Sequence, residues 1–231
     1  MSGFINKPKI LRGAFVEYGL SIPPLFVVFQ FNPEKLTRNR SLSYAAKSNA
    51  QTKGKQGTLR DFHKGFKDLS DLRDAQNVTV QEETIGFELR LDASDKLDEG
   101  DTITEQFGIA PQLSTLELMV HPKDESLLGQ ALGALLGNAP KGFSFTGEPK
   151  PPLVLFIWGR KRVLPVNINS LNITELLYST DLNPTRATVS VSLTVIEGGG
   201  LPYQYTKLMK EAMSVLNLAN ITDIANVIVP G

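Results

Sequence analysis

Phe29-Gln30-Phe31-Asn32-Pro33-Glu34-Lys35-Leu36 is the stretch that decides the fold class, and it closes an apolar run that starts at Pro24. Residues Leu25–Phe31 are rich in β-branched and aromatic side chains, a composition typical of a strand. Asn32-Pro33 ends that strand, because proline fixes φ and has no N–H to donate to a neighbouring strand. The stretch therefore predicts a strand followed by a sharp turn.

Further strands are predicted along most of the chain from the same kinds of pattern. Residues 186–197 show the clearest case, with Ala187, Val189, Val191, Leu193 and Val195 alternating with Thr and Ser. Such alternation marks a sheet with one buried face. The other predicted strands are Ile10–Tyr18, Leu42–Tyr44, Val78–Asp92, Pro152–Trp158 and Val163–Leu177.

Two helices complete the expected fold. Residues 107–120 have Pro111 near their start and His121-Pro122 at their end, which favours a helix of two to three turns. Tyr205–Leu218 shows amphipathic spacing. We therefore predict a mainly β (α+β) protein, an antiparallel barrel or sandwich over residues 1–197 with one packed helix, followed by a helical extension over residues 198–231.

Residues 46–77 differ from the strands around them, because they are polar, basic at first, and interrupted by glycines. A loop of this length inside a compact domain is uncommon. Two interpretations stay open: a surface loop, or an inserted arm that becomes ordered against a neighbouring subunit. The candidate contact residues here are Lys53, Lys55, Arg60, Phe62 and Phe66, and one short helix is expected around the two phenylalanines.

Composition excludes several classes of function. Among the 231 residues, 24 Lys and Arg balance 24 Asp and Glu, so net charge gives no case for nucleic-acid binding. The chain has no cysteine, which excludes disulfides, thiol nucleophiles and cysteine-bound zinc. No run reaches the roughly 18 apolar residues that a membrane helix needs, so neither membrane insertion nor a signal peptide is expected, and the predicted location is the cytoplasm.

Few residues have catalytic character. The two histidines, His63 and His121, belong to no metal-binding or triad-like motif, and His121 is expected near the C-terminal end of a helix. Residues 92–101 carry five carboxylates, for which a calcium loop is weighed against a solvated acidic turn, and the turn is preferred because no EF-hand spacing is present. Asp95 and Asp98 of this turn are expected to meet the basic stretch 47–67 of a neighbouring subunit. We predict no enzyme activity, no cofactor and no metal.

Several segments, in this order, resemble the tube-type baseplate proteins of contractile injection systems, which are phage-tail-like particles. The similar segments span about residues 8–197, and they are Phe29–Leu36, Phe87–Asp92, Pro151–Gly159, Leu171–Pro184 and Arg186–Leu193. The resemblance implies a tail-tube-like β domain in a ring, of sixfold symmetry in this family, that joins the inner tube to the spike. The implied partners are copies of the chain itself, inner-tube subunits, the spike protein and other baseplate proteins. The particle is expected to assemble in the cytoplasm, and release of the particle from the cell is left open.

Longer members of that family carry a C-terminal LysM module, which is not expected in the short remainder after Gly198. We expect residues 201–229 to contact a neighbouring subunit, with Tyr205, Leu208 and Leu216 as candidates. The alternatives left open are an inner-tube or tube-terminating subunit of the same particle, a carbohydrate- or peptidoglycan-binding β domain based on Trp158 and the tyrosines, and a small-molecule hydrolase. Exposure of Trp158 separates the sugar-binding alternative from the others.

Overall fold

A computed structural model describes residues 11–18, 25–46, 58–121 and 152–217. The chain divides into two compact units, which we treat separately: residues 1–37 with 85–231, and residues 38–84. The smaller unit contains the described part of the predicted arm and extends beyond residues 46–77 at both ends.

The described residues form nine strands and six helices. The strands are β1 (Ala14–Glu17), β2 (Phe26–Val28), β3 (Leu36–Asn39), β4 (Leu42–Ala46), β5 (Gln76–Val80), β6 (Thr84–Asp92), β7 (Val154–Ile157), β8 (Val163–Tyr178) and β9 (Pro184–Val195). The helices are α1 (Leu59–Lys64), α2 (Leu69–Ala75), α3 (Ser94–Asp98), α4 (Thr102–Phe107), α5 (Ala110–Leu118) and α6 (Leu201–Leu216). The prediction of a mainly β fold with added helices is confirmed.

Seven strands build one sheet in the order β2-β1-β7-β8-β9-β6-β3. Its described registers are antiparallel, with Phe15 opposite both Val27 and Phe156, and Phe156 opposite Leu164. The β8–β9 pairing is the longest, running from Val166 opposite Val195 to Tyr178 opposite Pro184. Strands β8 and β9 therefore form the longest pairing of the sheet and lie near the middle of its strand order.

The sheet curls over on itself around an aromatic core. Phe15 on β1 and Phe87 on β6 are four strand positions apart, which in a flat sheet means about 19 Å. Their ring centroids are only 6.0 Å apart, and Phe87 also stacks on Phe156 at 5.3 Å. Because strands from both halves of the sheet share one core, the larger unit is barrel-like.

Helices α3, α4 and α5 follow β6 in close succession. Asp101 caps α4, accepting a hydrogen bond from the Ile103 N–H, and Gly108 ends it with a φ of 57°. The next helix, α5, buries Leu113 and Leu116 against the core. The expected packed helix is therefore present as α5.

Helix α6 is attached to the sheet through a buried threonine. The Thr206 hydroxyl donates to the Val163 carbonyl at 2.6 Å and accepts from the Val163 N–H at 3.0 Å. Both polar groups of a strand residue are thus paired with one side chain of the helix. This anchors the N-terminal half of α6 beside β8.

The smaller unit is a two-stranded ribbon with two short helices. Strands β4 and β5 pair antiparallel, with Leu42 opposite Val80 and Tyr44 opposite Val78. At its base, the buried carboxylate of Glu83 binds the guanidinium groups of Arg38 and Arg40. Since Arg38 and Arg40 precede β4 and Glu83 follows β5, these ion pairs tie together the two chain segments at the base of the ribbon.

Three expectations about local structure were wrong. The predicted single strand Val78–Asp92 is two strands in different sheets, β5 and β6, separated by residues 81–83. The polar segment around Phe62 and Phe66 holds two helices, because Thr58 and Asp68 each cap one. The acidic stretch contains the short helix α3, to which Asp92 contributes by accepting a hydrogen bond from the Ser94 N–H.

No helix in the described parts of the chain is long and apolar enough to cross a membrane.

Candidate assembly surfaces

The segment Phe29–Leu36, which we call the seam segment, connects the two end strands of the seven-stranded sheet. It leaves β2 at one end of the strand order and enters β3 at the other. Phe29 is buried and packs edge-on against Phe15 at 5.2 Å. Gly13 allows this packing, because a Cβ there would lie 2.6 Å from the Phe29 ring.

Polar side chains of the seam segment bind backbone on both sides of it. Gln30 Oε1 accepts a hydrogen bond from the Asp92 N–H at the end of β6, at 2.9 Å. Asn32 Oδ1 accepts from the Gly13 N–H at 2.9 Å, and Asn32 Nδ2 donates to the Leu11 carbonyl at 2.8 Å. The seam segment thus has a structural role, joining the two end strands of the sheet. Its polar side chains are explained by these backbone hydrogen bonds, without any catalytic role.

A groove of about 910 Å³ lies beside the seam segment in the larger unit. Its lining carries charged side chains that form no ion pair or hydrogen bond within the described residues: Arg12, Glu34, Lys35, Glu88 and Arg90. Mixed, unpaired charge along an open groove suits contact with another polypeptide surface better than capture of one small ion.

Along residues 167–174 of β8 and 188–194 of β9, the paired outward side chains of the hairpin are polar and uncharged, and the nearest outward charge on β9 is Arg186, which pairs with Asp92. Hydroxyl and amide side chains face each other across the ladder in the pairs Asn167–Thr194, Ser170–Ser192, Asn172–Ser190 and Thr174–Thr188. The alternate residues of β9 are buried in the core. Strand β8 pairs with β7 only as far as Val166, so this polar ladder continues past the end of β7. We call these four pairs the neutral ladder.

The residues predicted to make subunit contacts are distributed over both units. Lys53 and Lys55 lie outside the described residues. In the smaller unit, Arg60 is exposed on α1, whereas Phe62 and Phe66 are half-buried and pack edge-on against each other at 5.0 Å. This contact between aromatic rings links α1, which contains Phe62, to the connection that follows it, which contains Phe66.

The remaining predicted contact residues belong to the larger unit. Asp95 and Asp98 are exposed on α3, and Tyr205, Leu208 and Leu216 are exposed on α6. Tyr205 also donates its hydroxyl to the Arg160 carbonyl at 2.8 Å. All five are accessible on the isolated chain.

The acidic stretch is divided between internal and exposed carboxylates. Burial alone raises the pKa of Asp92, but hydrogen bonds from Ser94 and the Arg186 guanidinium, 2.7 Å away, outweigh burial and hold that pKa below its usual value. Hydrogen bonds from the Thr104 hydroxyl and the Ile103 N–H lower the pKa of Asp101. Asp101 therefore caps α4, whereas Asp92 is held by Ser94 and Arg186 just before α3 begins.

Metal-binding and histidine chemistry receive no geometric support in the part of the chain that the structure describes. No group of three His, Asp or Glu residues there is placed to hold a metal ion. His121 Nδ1 lies 2.8 Å from the Glu117 carbonyl at the end of α5, which is the helix-end position predicted for it. His63 contacts the Gln76 side chain at 2.8 Å.

Trp158 is half-buried and stacks on the buried Phe156 ring at a centroid distance of 6.0 Å. One face of the indole is therefore occupied by the core. The structure therefore places Trp158 at the edge of the core.

Neither the family models nor the curated proteins contain a match to this chain. Its function is therefore argued from the residues and their geometry.

Sequence reasoning found the polar face of β9, but it missed the matching side chains of β8 that complete the neutral ladder, and it missed the Thr206 anchor. The ladder had a visible signal, because Asn, Ser and Thr occupy every second position of 188–194 and recur along 167–174. Thr206 had none, since a threonine inside an amphipathic helix gives no indication of the strand it binds.

Proposed function

We propose that this chain is a structural subunit of a contractile injection system, forming a ring in the baseplate or inner tube that joins the tube to the spike. The neutral ladder is the observation that carries the proposal. A ring of such hairpins would give a stretch of conduit wall that is wettable and uncharged along the four pairs of the neutral ladder, with the charged groove that Ser190 also lines beside it. The ordered series of segments that resemble tube-type baseplate proteins supports the same conclusion.

The shape of the larger unit also suits a ring. A small barrel-like domain with a hairpin that continues past its neighbouring strand leaves sheet edges uncovered, and a closed ring of identical contacts covers them. Sixfold symmetry is the value that the family resemblance implies. An inner-tube or tube-terminating subunit of the same particle remains the alternative, because the neutral ladder suits any ring along the axis.

Assembly is the first test. The chain is co-expressed with tube and spike proteins from the same source, and the products are sized and imaged by negative-stain electron microscopy. We expect rings with a central channel. A chain that stays monomeric alone and with both partners contradicts the proposal.

A labelling experiment tests the conduit wall itself. Because the chain has no cysteine, Ser190→Cys places a single thiol on the neutral ladder. We expect a bulky maleimide to label it in the free chain and to be excluded in the assembled particle. Ser70→Cys, on an exposed helix of the smaller unit, measures how far assembly shields sites elsewhere. Equal labelling of Ser190→Cys before and after assembly contradicts the assignment of this face to the conduit.

A further inference from the structure

The smaller unit has a single buried side chain among its described residues, and that side chain is a carboxylate. Glu83 is 2% exposed, whereas every other residue of 38–84 whose burial is described is half-buried or exposed. No residue of the described hydrophobic core lies in this range. The described part of the smaller unit is therefore held together without an apolar core of its own.

The secondary structure of this unit is too short to be stable by itself. Strands β4 and β5 have five residues each and form a sheet of two strands, which is at best marginally stable in water. Helices α1 and α2 have six and seven residues, below the roughly twelve that an isolated helix needs, and neither buries a side chain. Much of the free energy that keeps this unit folded must therefore come from polar contacts.

The contacts of Glu83 are the most sheltered of these polar contacts. Its Oε1 accepts a hydrogen bond from Arg38, and its Oε2 accepts one from Arg40 Nη2 at 3.2 Å. We call these contacts the Glu83 clasp. The other ion pairs described in this unit are exposed to solvent, and exposed pairs contribute little stability. A buried carboxylate, in contrast, is stable only while its cations stay bound, so breaking the Glu83 clasp is costly.

We propose that the smaller unit opens and closes on its own while the larger unit stays folded, and that the Glu83 clasp controls this opening. Regions with few buried apolar contacts open at a lower free energy than the rest of a protein, and such regions are the ones that rearrange on binding. The larger unit contains the whole described core, so its folding does not depend on the ribbon. The inference goes beyond the proposed function and does not rest on it, because it concerns the purified chain alone.

Hydrogen exchange of the purified chain, followed by mass spectrometry, tests the Glu83 clasp. Glu83→Gln removes the charge but keeps the size of the side chain. We expect the amides that pair β4 with β5 to exchange roughly tenfold to a hundredfold faster in this variant, because hydrogen bonds to a charged group are lost. The amides that pair β8 with β9 should keep their wild-type rates. Glu82→Gln, the same change at the exposed neighbouring carboxylate, is the matched control and should alter neither set of rates.

The single tryptophan measures the larger unit separately. Trp158 stacks on the buried Phe156 ring of that unit, so its fluorescence in urea reports the unfolding of the larger unit. We expect the same urea midpoint from Trp158 in the wild-type chain, in Glu83→Gln and in Glu82→Gln. This result together with faster exchange in β4 and β5 supports separate opening.

Every other result counts against the inference. A lower Trp158 midpoint in Glu83→Gln, or faster exchange between β8 and β9, shows that the two units unfold together and overturns separate opening. Unchanged exchange in Glu83→Gln, or equal acceleration in Glu82→Gln, overturns the role of the Glu83 clasp. Immediate exchange of β4 and β5 in the wild-type chain also overturns that role, because the clasp would then maintain no protection.

Discussion

Gly108 is the position where a single methyl group should be most damaging. It joins α4 to α5 with φ 57° and ψ −129°, and a Cβ there would lie 2.1 Å from the Pro184 carbonyl oxygen at the start of β9. That oxygen also accepts the Ile109 N–H at 2.8 Å. The connection between α4 and α5 is thus fastened directly to the turn end of the β8–β9 hairpin, with no room for a side chain.

The expected cost of Gly108→Ala has two parts. With φ 57° and ψ −129°, Gly108 lies outside the left-handed helical region, in a conformation that side-chain-bearing residues rarely adopt and that costs an alanine about 1–3 kcal/mol. The clash adds to this cost, because backbone must move by more than 1 Å to restore a contact of roughly 3.3 Å, which breaks the Ile109–Pro184 hydrogen bond and loosens the packing of α5. We expect a total loss of about 3–5 kcal/mol in the free energy of unfolding.

Gly100→Ala is the matched control. Gly100 also has a positive φ, 72°, but its Cβ would meet no atom within 4 Å. The control should therefore lose only the backbone part, about 1 kcal/mol. Urea denaturation followed by circular dichroism measures both variants. Equal losses in the two variants would show that close packing against Pro184 is absent and would refute the reasoning.

Three further predictions concern the polar contacts that hold the larger unit together. Thr206→Val keeps the shape of the side chain but leaves the N–H and the carbonyl of Val163 unpaired. We therefore expect the free energy of unfolding, measured by urea denaturation, to fall by about 2 kcal/mol, and hydrogen exchange in α6 to become faster. Unchanged exchange would argue against the anchor. Asn32→Asp keeps the acceptor but turns the amide donor into a charge facing a carbonyl, and we expect a drop of several degrees in Tm that Asn32→Ala does not exceed. Since the pKa of Asp92 is lowered in the folded state, its pairing with Arg186 contributes stability above the unfolded pKa of roughly 4 and loses it as pH falls through the folded value. Asp92→Asn should therefore destabilise the protein at pH 7 and much less near pH 2, and a destabilisation that is constant with pH would contradict this assignment.

Some strands and helices could be predicted from the sequence, because the periodic spacing of their apolar residues is enough to determine them. Strand β9 alternates small polar and branched apolar residues without interruption, and every apolar residue from Ala187 to Val195 is buried. Helix α6 was expected from residue 205, but it begins at Leu201, because Pro202 is well tolerated in the first turn of a helix. Elements with strong periodicity are thus visible in the sequence, while their ends depend on local capping.

The error over residues 78–92 had a signal that was overlooked. Val78 and Val80 occupy even positions, whereas Ile85, Phe87, Leu89 and Leu91 occupy odd ones. A continuous strand would place these two groups on opposite faces. The change of phase therefore marks the break at residues 81–83, where Glu83 turns inward to bind two arginines.

The remaining features depend on contacts between residues far apart in sequence. Asn32 binds residues about twenty positions earlier, and Thr206 binds Val163 across 43 positions. No periodicity encodes such a pair, because one polar side chain suffices and its partner is ordinary backbone. In both cases the partner is a group that would otherwise lack a ladder hydrogen bond. These side chains therefore supply hydrogen bonds that a further strand would otherwise make: Asn32 does so just before β1, and Thr206 at the start of β8.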